Sequence, residues 1–257
     1  MLITKRYFIE LSYDGTGYHG WQIQPNALTV QECLDKALSI YFRQPITSLG
    51  CGRTDAGVHA TQFFAHFDLS FTSDSTIPGQ ENLTKSIGGI NSLLPYQIAI
   101  KSLVEVSPDA HARFDATERT YHYHIHFQKD PFKLHRSWLF KGVLNLDLMN
   151  TAANHLLNYV DFSCFSKSNT QTFTNNCRII EAHFKDVDGN LIFTIKADRF
   201  LRNMVRAIVG TLIQIGKEEI TLQEFISIVE RKDRSNAGQS VPACGLYLVG
   251  IKYPYIN

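Results

Sequence analysis

Apolar and polar positions along the chain fall into two runs of similar order. Residues 6–13 (RYFIELSY) are rich in aromatic and aliphatic side chains and end at Asp14-Gly15, which predicts a strand. Thr29 and Glu32 stand three apart as a capping box. Val30, Leu34, Ala37, Leu38 and Tyr41 then recur at helical spacing, so a helix is expected over 30–43. A short strand at 46–49 leads into a glycine-punctuated stretch, after which 61–69 alternates onto Phe63, Ala65 and Phe67 as a further strand. Leu83, Ile87, Ile90 and Leu94 predict a second helix despite Gly88-Gly89, and 97–106 a fourth strand. This half reads β-α-β-loop-β-α-β, the ferredoxin-like order.

Residues 107–116 (SPDAHARFDA) are polar and contain Pro108, which sets the expected domain boundary near 107, with domains 1–106 and 107–257. The order then recurs loosely. Strand 118–127 and helix 146–158 precede strands 177–187 and 191–197, joined at Asp188-Gly189, and helix 200–215 and strand 245–252 follow. A helix at 221–231, capped by Thr221 and Glu224, and a loop at 128–136 are additions. The expected fold is α+β, with two ferredoxin-like, RRM-like halves whose antiparallel sheets are related by a pseudo-twofold, and an active cleft between them.

Composition narrows this only slightly. Of 257 residues 44% are hydrophobic and 19% charged, as in a folded globule, and no stretch matches a bilayer-spanning segment or a signal peptide. Cys33, Cys51, Cys164, Cys177 and Cys244 form no C-x-x-C pair, so free thiols in a reducing cytoplasm are expected, and no structural zinc. A net charge of +1 argues mildly against nucleic acid but leaves room for a local basic cleft.

Five stretches can carry chemistry. In Gly50-Cys51-Gly52-Arg53-Thr54-Asp55-Ala56-Gly57-Val58-His59-Ala60 the glycines allow close approach to a ligand. A guanidinium beside Asp55 would keep it ionised, as a nucleophile or base requires; the plainer alternative is a pinned turn. Gly15-Thr16-Gly17-Tyr18-His19-Gly20 spells G-x-G-x-x-G after a strand. Pro25 blocks the helix that a dinucleotide site needs, so a loop with Tyr18 and Trp21 packed on it is expected. Over 118–127, His122, His124 and His126 share one face. They offer either a metal site or a polar strand face, with no acidic or cysteine partner at hand. On the other face Tyr123 is expected in the core, and Tyr121 either packs there or stacks on a base. Helix 200–215 has an apolar stripe, with Arg202 and Arg206 one turn apart on its polar face. Lys129, Lys133, His135, Arg136 and Lys141 interleave with Phe132, Trp138 and Phe140, a pattern that suits RNA.

In combination these stretches resemble the tRNA pseudouridine synthase A family. The likeness runs through YDGTGYHGWQ at 13–22, GCGRTDAGVHA at 50–60, HARFDATERTYHY at 111–123, DFSCFSK at 161–167, FLRNMVRAIVG at 200–210 and CGLYLVGIKYP at 244–254. It implies an isomerase that turns uridine into pseudouridine at positions 38–40 of the tRNA anticodon arm, with no metal or other cofactor, working as a homodimer. By motif, Asp55 is then the catalytic carboxylate and Tyr121 contacts or stacks on the target uracil. Arg206 pairs with Asp55, and Arg53 meets the RNA backbone. One departure is Val-Pro-Ala-Cys-Gly at 241–245, where the family often has a charged residue before the glycine. A non-catalytic RNA binder on the same scaffold and a histidine-dependent metallohydrolase are the competing readings.

Overall fold

The computed structural model describes residues 2–72, 83–167 and 173–256. It is a mixed α/β protein whose strands pair mostly antiparallel. By packing, the chain forms two units, one of residues 1–116 and 249–257, the other of residues 117–248. The sequence reading put the boundary near 107 and the whole C-terminal stretch in the second half. The two assignments differ because Arg6 and His66 hold the backbone at 110–112 and Tyr253 packs on Phe8 and Phe64, contacts that local patterning does not show.

The first unit contains β1 (Leu2–Tyr13), α1 (Val30–Phe42), β2 (Leu49–Gly50), β3 (His59–Thr72), α2 (Leu83–Leu93) and β4 (Ile98–Val106). Its strands lie in the order β4-β1-β3-β2, all antiparallel. β1 is central, and simple alternation fails in its middle, where Tyr7, Phe8 and Ile9 are all buried. Both faces are covered there: Phe8 lies against Tyr253 and His66, with centroids 5.2 and 6.1 Å away. Burying a side chain of this size contributes about 1.5–3 kcal/mol. α1 begins at Thr29, whose hydroxyl accepts the Glu32 N–H. Asp35 on α1 accepts both the backbone N–H and the hydroxyl of Ser48, tying the approach to β2 onto the helix.

The second unit contains β5 (Glu118–His126), β6 (Trp138–Leu139), α3 (Leu146–His155), β7 (Ile179–Val187), β8 (Asn190–Ala197), α4 (Met204–Gly216) and α5 (Leu222–Arg231). β8 pairs antiparallel with both β5 and β7, and β6 adds to β5 in parallel. Tyr123, Phe193 and Ile195 line one fully buried face. The hairpin between β7 and β8 turns at Asp188 and Gly189, both in left-handed conformation. α5 starts with a complete capping box of Thr221 and Glu224, worth about 1 kcal/mol. β9 (Leu246–Lys252) begins in this unit and ends in the first. No helix among the described residues is long and apolar enough to cross a membrane, and none of the five cysteines is in a disulfide.

Candidate active site

The loop from β2 to β3 carries Arg53 and Asp55, and a second loop holds it in place. At the end of β1 the pairing register on β3 shifts between Leu11 and Tyr13. The Tyr13 hydroxyl hydrogen-bonds the buried Thr54 hydroxyl at 2.8 Å. Residues 15–21 then lie along the backbone of the Asp55 loop. The Trp21 N–H donates to the Thr54 carbonyl at 3.2 Å, the Gly57 N–H to the Tyr18 carbonyl at 3.3 Å, and the Val58 N–H to the Asp55 carbonyl at 3.2 Å. Contact is so close that a Cβ on Gly15 would sit 2.0 Å from the Val58 oxygen, and one on Gly20 2.3 Å from the Thr54 oxygen. Gly20 also has φ +87°, a conformation glycine adopts without strain. The G-x-G-x-x-G spelling is thus a cradle for another loop. Tyr18 and Trp21 are buried on it as expected, and Trp21 stacks on Phe63 at 4.1 Å.

Asp55 is half-buried within this clamp, between the fixed Thr54 and Gly57. A carboxylate on so constrained a backbone holds one position, as attack or proton transfer demands. Arg53 is exposed and lines a shallow pocket with Gln22, Gln31, Gly50, Gly52 and Arg113.

Tyr121 and Arg206 belong to the second unit. Tyr121 is half-buried, paired with Ile195 in the β5–β8 ladder, and meets Phe200 edge-to-face at 5.1 Å. Arg206, in the first turn of α4, donates from Nε to the Val241 carbonyl at 2.7 Å, and Val241 N–H donates back to the Arg206 carbonyl at 3.2 Å. Gly210 allows this approach: a Cβ there would lie 1.8 Å from the Gln239 oxygen. The Thr211 hydroxyl accepts the Gly238 N–H and donates to the Ala207 carbonyl, closing the clamp of α4 on 238–241.

A family model described as tRNA pseudouridine synthase matches residues 152–254. The tRNA pseudouridine synthase A of Bacteroides thetaiotaomicron is 47% identical over 253 residues, covering 97% of this chain and 91% of that protein. That of Azobacteroides pseudotrichonymphae is 49% identical over 250 residues, 97% of each, and that of Clostridium acetobutylicum 38% over 251 residues, 97% and 100%. The chain belongs to the tRNA pseudouridine synthase A family. A solved chain described as an unknown protein from Galdieria sulphuraria is 13% identical, covers 85% of this chain and 94% of its own length, and has a TM-score of 0.22, too low to bear on the fold.

Within this pseudouridine synthase family member, two sequence expectations change. α4 starts at Met204, not at 200, because Asn203 is left-handed at φ +66° and bonds Ser240. Arg202 therefore precedes the helix, exposed, and does not share a helical face with Arg206. On β5 the His122 and His124 rings lie 6.1 Å apart. His126 hydrogen-bonds Ser137 at 3.0 Å, His124 packs on Tyr247, and burial lowers the pKa of His122. Among the described residues, no three His, Cys, Asp or Glu side chains gather as for a metal. Of the interleaved aromatics, Phe140 is buried and Trp138 half-buried, leaving Phe132 as the one fully presented to solvent.

The segment that departs from the family pattern is also fixed. Tyr123 donates its hydroxyl to the Pro242 carbonyl at 2.8 Å, and a Cβ on Gly245 would lie 2.7 Å from the Tyr123 ring. Cys244 is half-buried, and burial pushes its thiol pKa up. Local patterning also missed Arg113: residues 107–116 read as a polar linker, yet Arg113 shares the pocket of Arg53.

Proposed function

We propose that this chain isomerises uridine to pseudouridine in tRNA, at positions 38–40 of the anticodon arm, with Asp55 as the catalytic carboxylate. The observation that carries this is end-to-end: 38–49% identity over 97% of the chain to proteins named tRNA pseudouridine synthase A, spanning the loop that holds Asp55. The reaction breaks the N1–C1′ bond of the nucleotide and forms C5–C1′. C5 gives up its proton and N1 gains one, so nothing is consumed. The target base lies inside a stacked arm, so the nucleotide must be extruded at a cost of about a few kcal/mol.

In this reading Tyr121 stacks on the extruded uracil, offsetting lost base stacking. Arg206 supplies the positive charge that keeps Asp55 ionised, because an unpaired buried carboxylate is costly. Its Nε bond to the Val241 carbonyl would aim the guanidinium. Arg53 contacts the RNA backbone. Recurrence of strand-helix-strand-strand-helix order in both units, with β6 and α5 added in the second, supports two ferredoxin-like halves. A homodimer and a cytoplasmic setting complete the reading; the absence of disulfides suits the latter.

The test is mass-spectrometric mapping of pseudouridine in tRNA transcripts incubated with the protein. Asp55→Asn is expected to lower product by at least ~10³-fold, with fold and tRNA affinity kept within about threefold. Substantial isomerisation by that variant would remove Asp55 from the mechanism.

A further inference from the structure

We infer that the pocket shared by Arg53 and Arg113 is a phosphate subsite for the RNA strand, and that Phe114 beside it is a shelf on which a neighbouring unpaired base stacks. The inference rests on the tRNA reading above and adds two binding residues to it, both from the first unit.

The turn at 111–115 is built to present two side chains. His111 Nδ1 accepts the backbone N–H of Arg113 at 3.1 Å and of Phe114 at 3.3 Å. Asp115 accepts the His111 N–H at 2.7 Å and the Tyr255 hydroxyl at 2.7 Å. His66 Nδ1 accepts the Ala112 N–H, the Tyr253 hydroxyl donates to the Ala112 carbonyl, and Arg6 holds the Ala110 carbonyl. With the backbone fixed from β1, β3 and the C-terminal residues, the ordering entropy of the loop has already been met before any ligand arrives.

The turn presents an aromatic ring beside a cation. Phe114 is 74% exposed, with one face against His111, centroids 4.3 Å apart. The Arg113 guanidinium carbon lies 5.6 Å from the Phe114 ring centroid. At that exposure most of the ring is open to a ligand. Arg113 also lines the pocket of Arg53, whose other polar members are Gln22 and Gln31, with no acidic side chain in the lining among the described residues. A Cβ on Gly52 would meet nothing within 4 Å, so the pocket is open in front of that backbone. Two guanidiniums, neutral amides and no carboxylate favour a phosphodiester, and the adjoining ring favours a base. An RNA strand carries both groups within one nucleotide, which a protein surface does not.

The experiment measures binding of a fluorescein-labelled, unmodified tRNA transcript to the full chain across a salt series. Arg113→Gln is expected to weaken affinity about tenfold and to flatten the log–log salt slope by about one. Phe114→Ala is expected to weaken it about tenfold with the slope unchanged, since stacking releases no counterion. F114W should keep affinity within about threefold and show indole fluorescence quenched by the transcript beyond that of the parent. The kcat at saturating RNA should stay within about twofold for all three, with the effect carried by KM. An unchanged slope and affinity for Arg113→Gln, or Phe114→Ala binding like the parent, overturns the subsite even if the parent isomerises its substrate. A parent that binds through these residues but makes no pseudouridine upholds the subsite and overturns the activity reading alone.

Discussion

Gly20 shows how one missing side chain can position Asp55, the carboxylate proposed to act in catalysis. Its φ of +87° would strain any L side chain, and its Cβ position is filled by the Thr54 carbonyl, one residue from Asp55. Gly20→Ala should therefore destabilise the fold by ~1–3 kcal/mol and push the Asp55 loop aside. Misplacement of a reacting group on the ångström scale is expected to lower kcat by at least ~tenfold, with KM for tRNA nearly unchanged. Gly17 provides the control: it has φ +83° but open space around its Cβ position. Gly17→Ala shares the strain without the displacement and should lose stability alone. Equal loss of kcat in both variants would sink the cradle argument. Asp35 acts at the same scale in a structural way. Burial raises its pKa to about 6, against the opposing Ser48 hydrogen bonds, while those bonds hold Ser48 on α1.

At the scale of elements, tightness comes from tertiary bonds to short segments more than from long regular ones. The 111–115 turn depends on a neutral His66, because only an unprotonated Nδ1 accepts the Ala112 N–H. Burial lowers the His66 pKa to about 4. Arg6 and His111 push the same way, and Asp68 and Asp115 oppose. The folded value lies below the unfolded one, so the unfolded chain binds the extra proton first. The contribution is complete above about pH 6.5 and is lost as pH falls toward 4. NMR titration of the His66 ring should give a midpoint near 4, with the corrected exchange protection of the Ala112 amide falling over the same range; a midpoint near 6.5 would overturn it. α4 makes a parallel point. Its apolar stripe is legible from sequence, but its first turn is not, because Asn203 at φ +66° and its bond to Ser240 halt the helix before Arg202.

At the scale of the whole molecule, a net charge of +1 conceals a local field. The exposed arginines 53 and 113 share one pocket although sixty residues separate them in the chain. If tRNA is held through phosphates, log K should fall with log salt at a slope of about −3 or steeper. A slope near zero would argue for recognition without phosphate contacts. Family membership bears on this scale too, since it covers 97% of the chain and so both units.

Most of the element order was readable from sequence because capping boxes, turn residues and hydrophobic periodicity act over three to ten residues. The Thr29 N-cap, the Thr221–Glu224 capping box and the Asp188-Gly189 turn appear in the structure where local chemistry put them, though of the box expected at α1 only the Thr29 half, accepting the Glu32 N–H, is formed. The Arg53–Asp55 loop stood out for the same reason: its glycines and charges are contiguous. Tertiary structure alone decided that the glycines of 15–20 brace the Asp55 loop and that Arg113 joins Arg53. It also decided that Arg202 leaves the helix of Arg206, and that the residues after 248 pack with the first unit. Each of these depends on atoms brought within bonding distance from far along the chain, and the free energy of such contacts leaves no periodic mark on either partner.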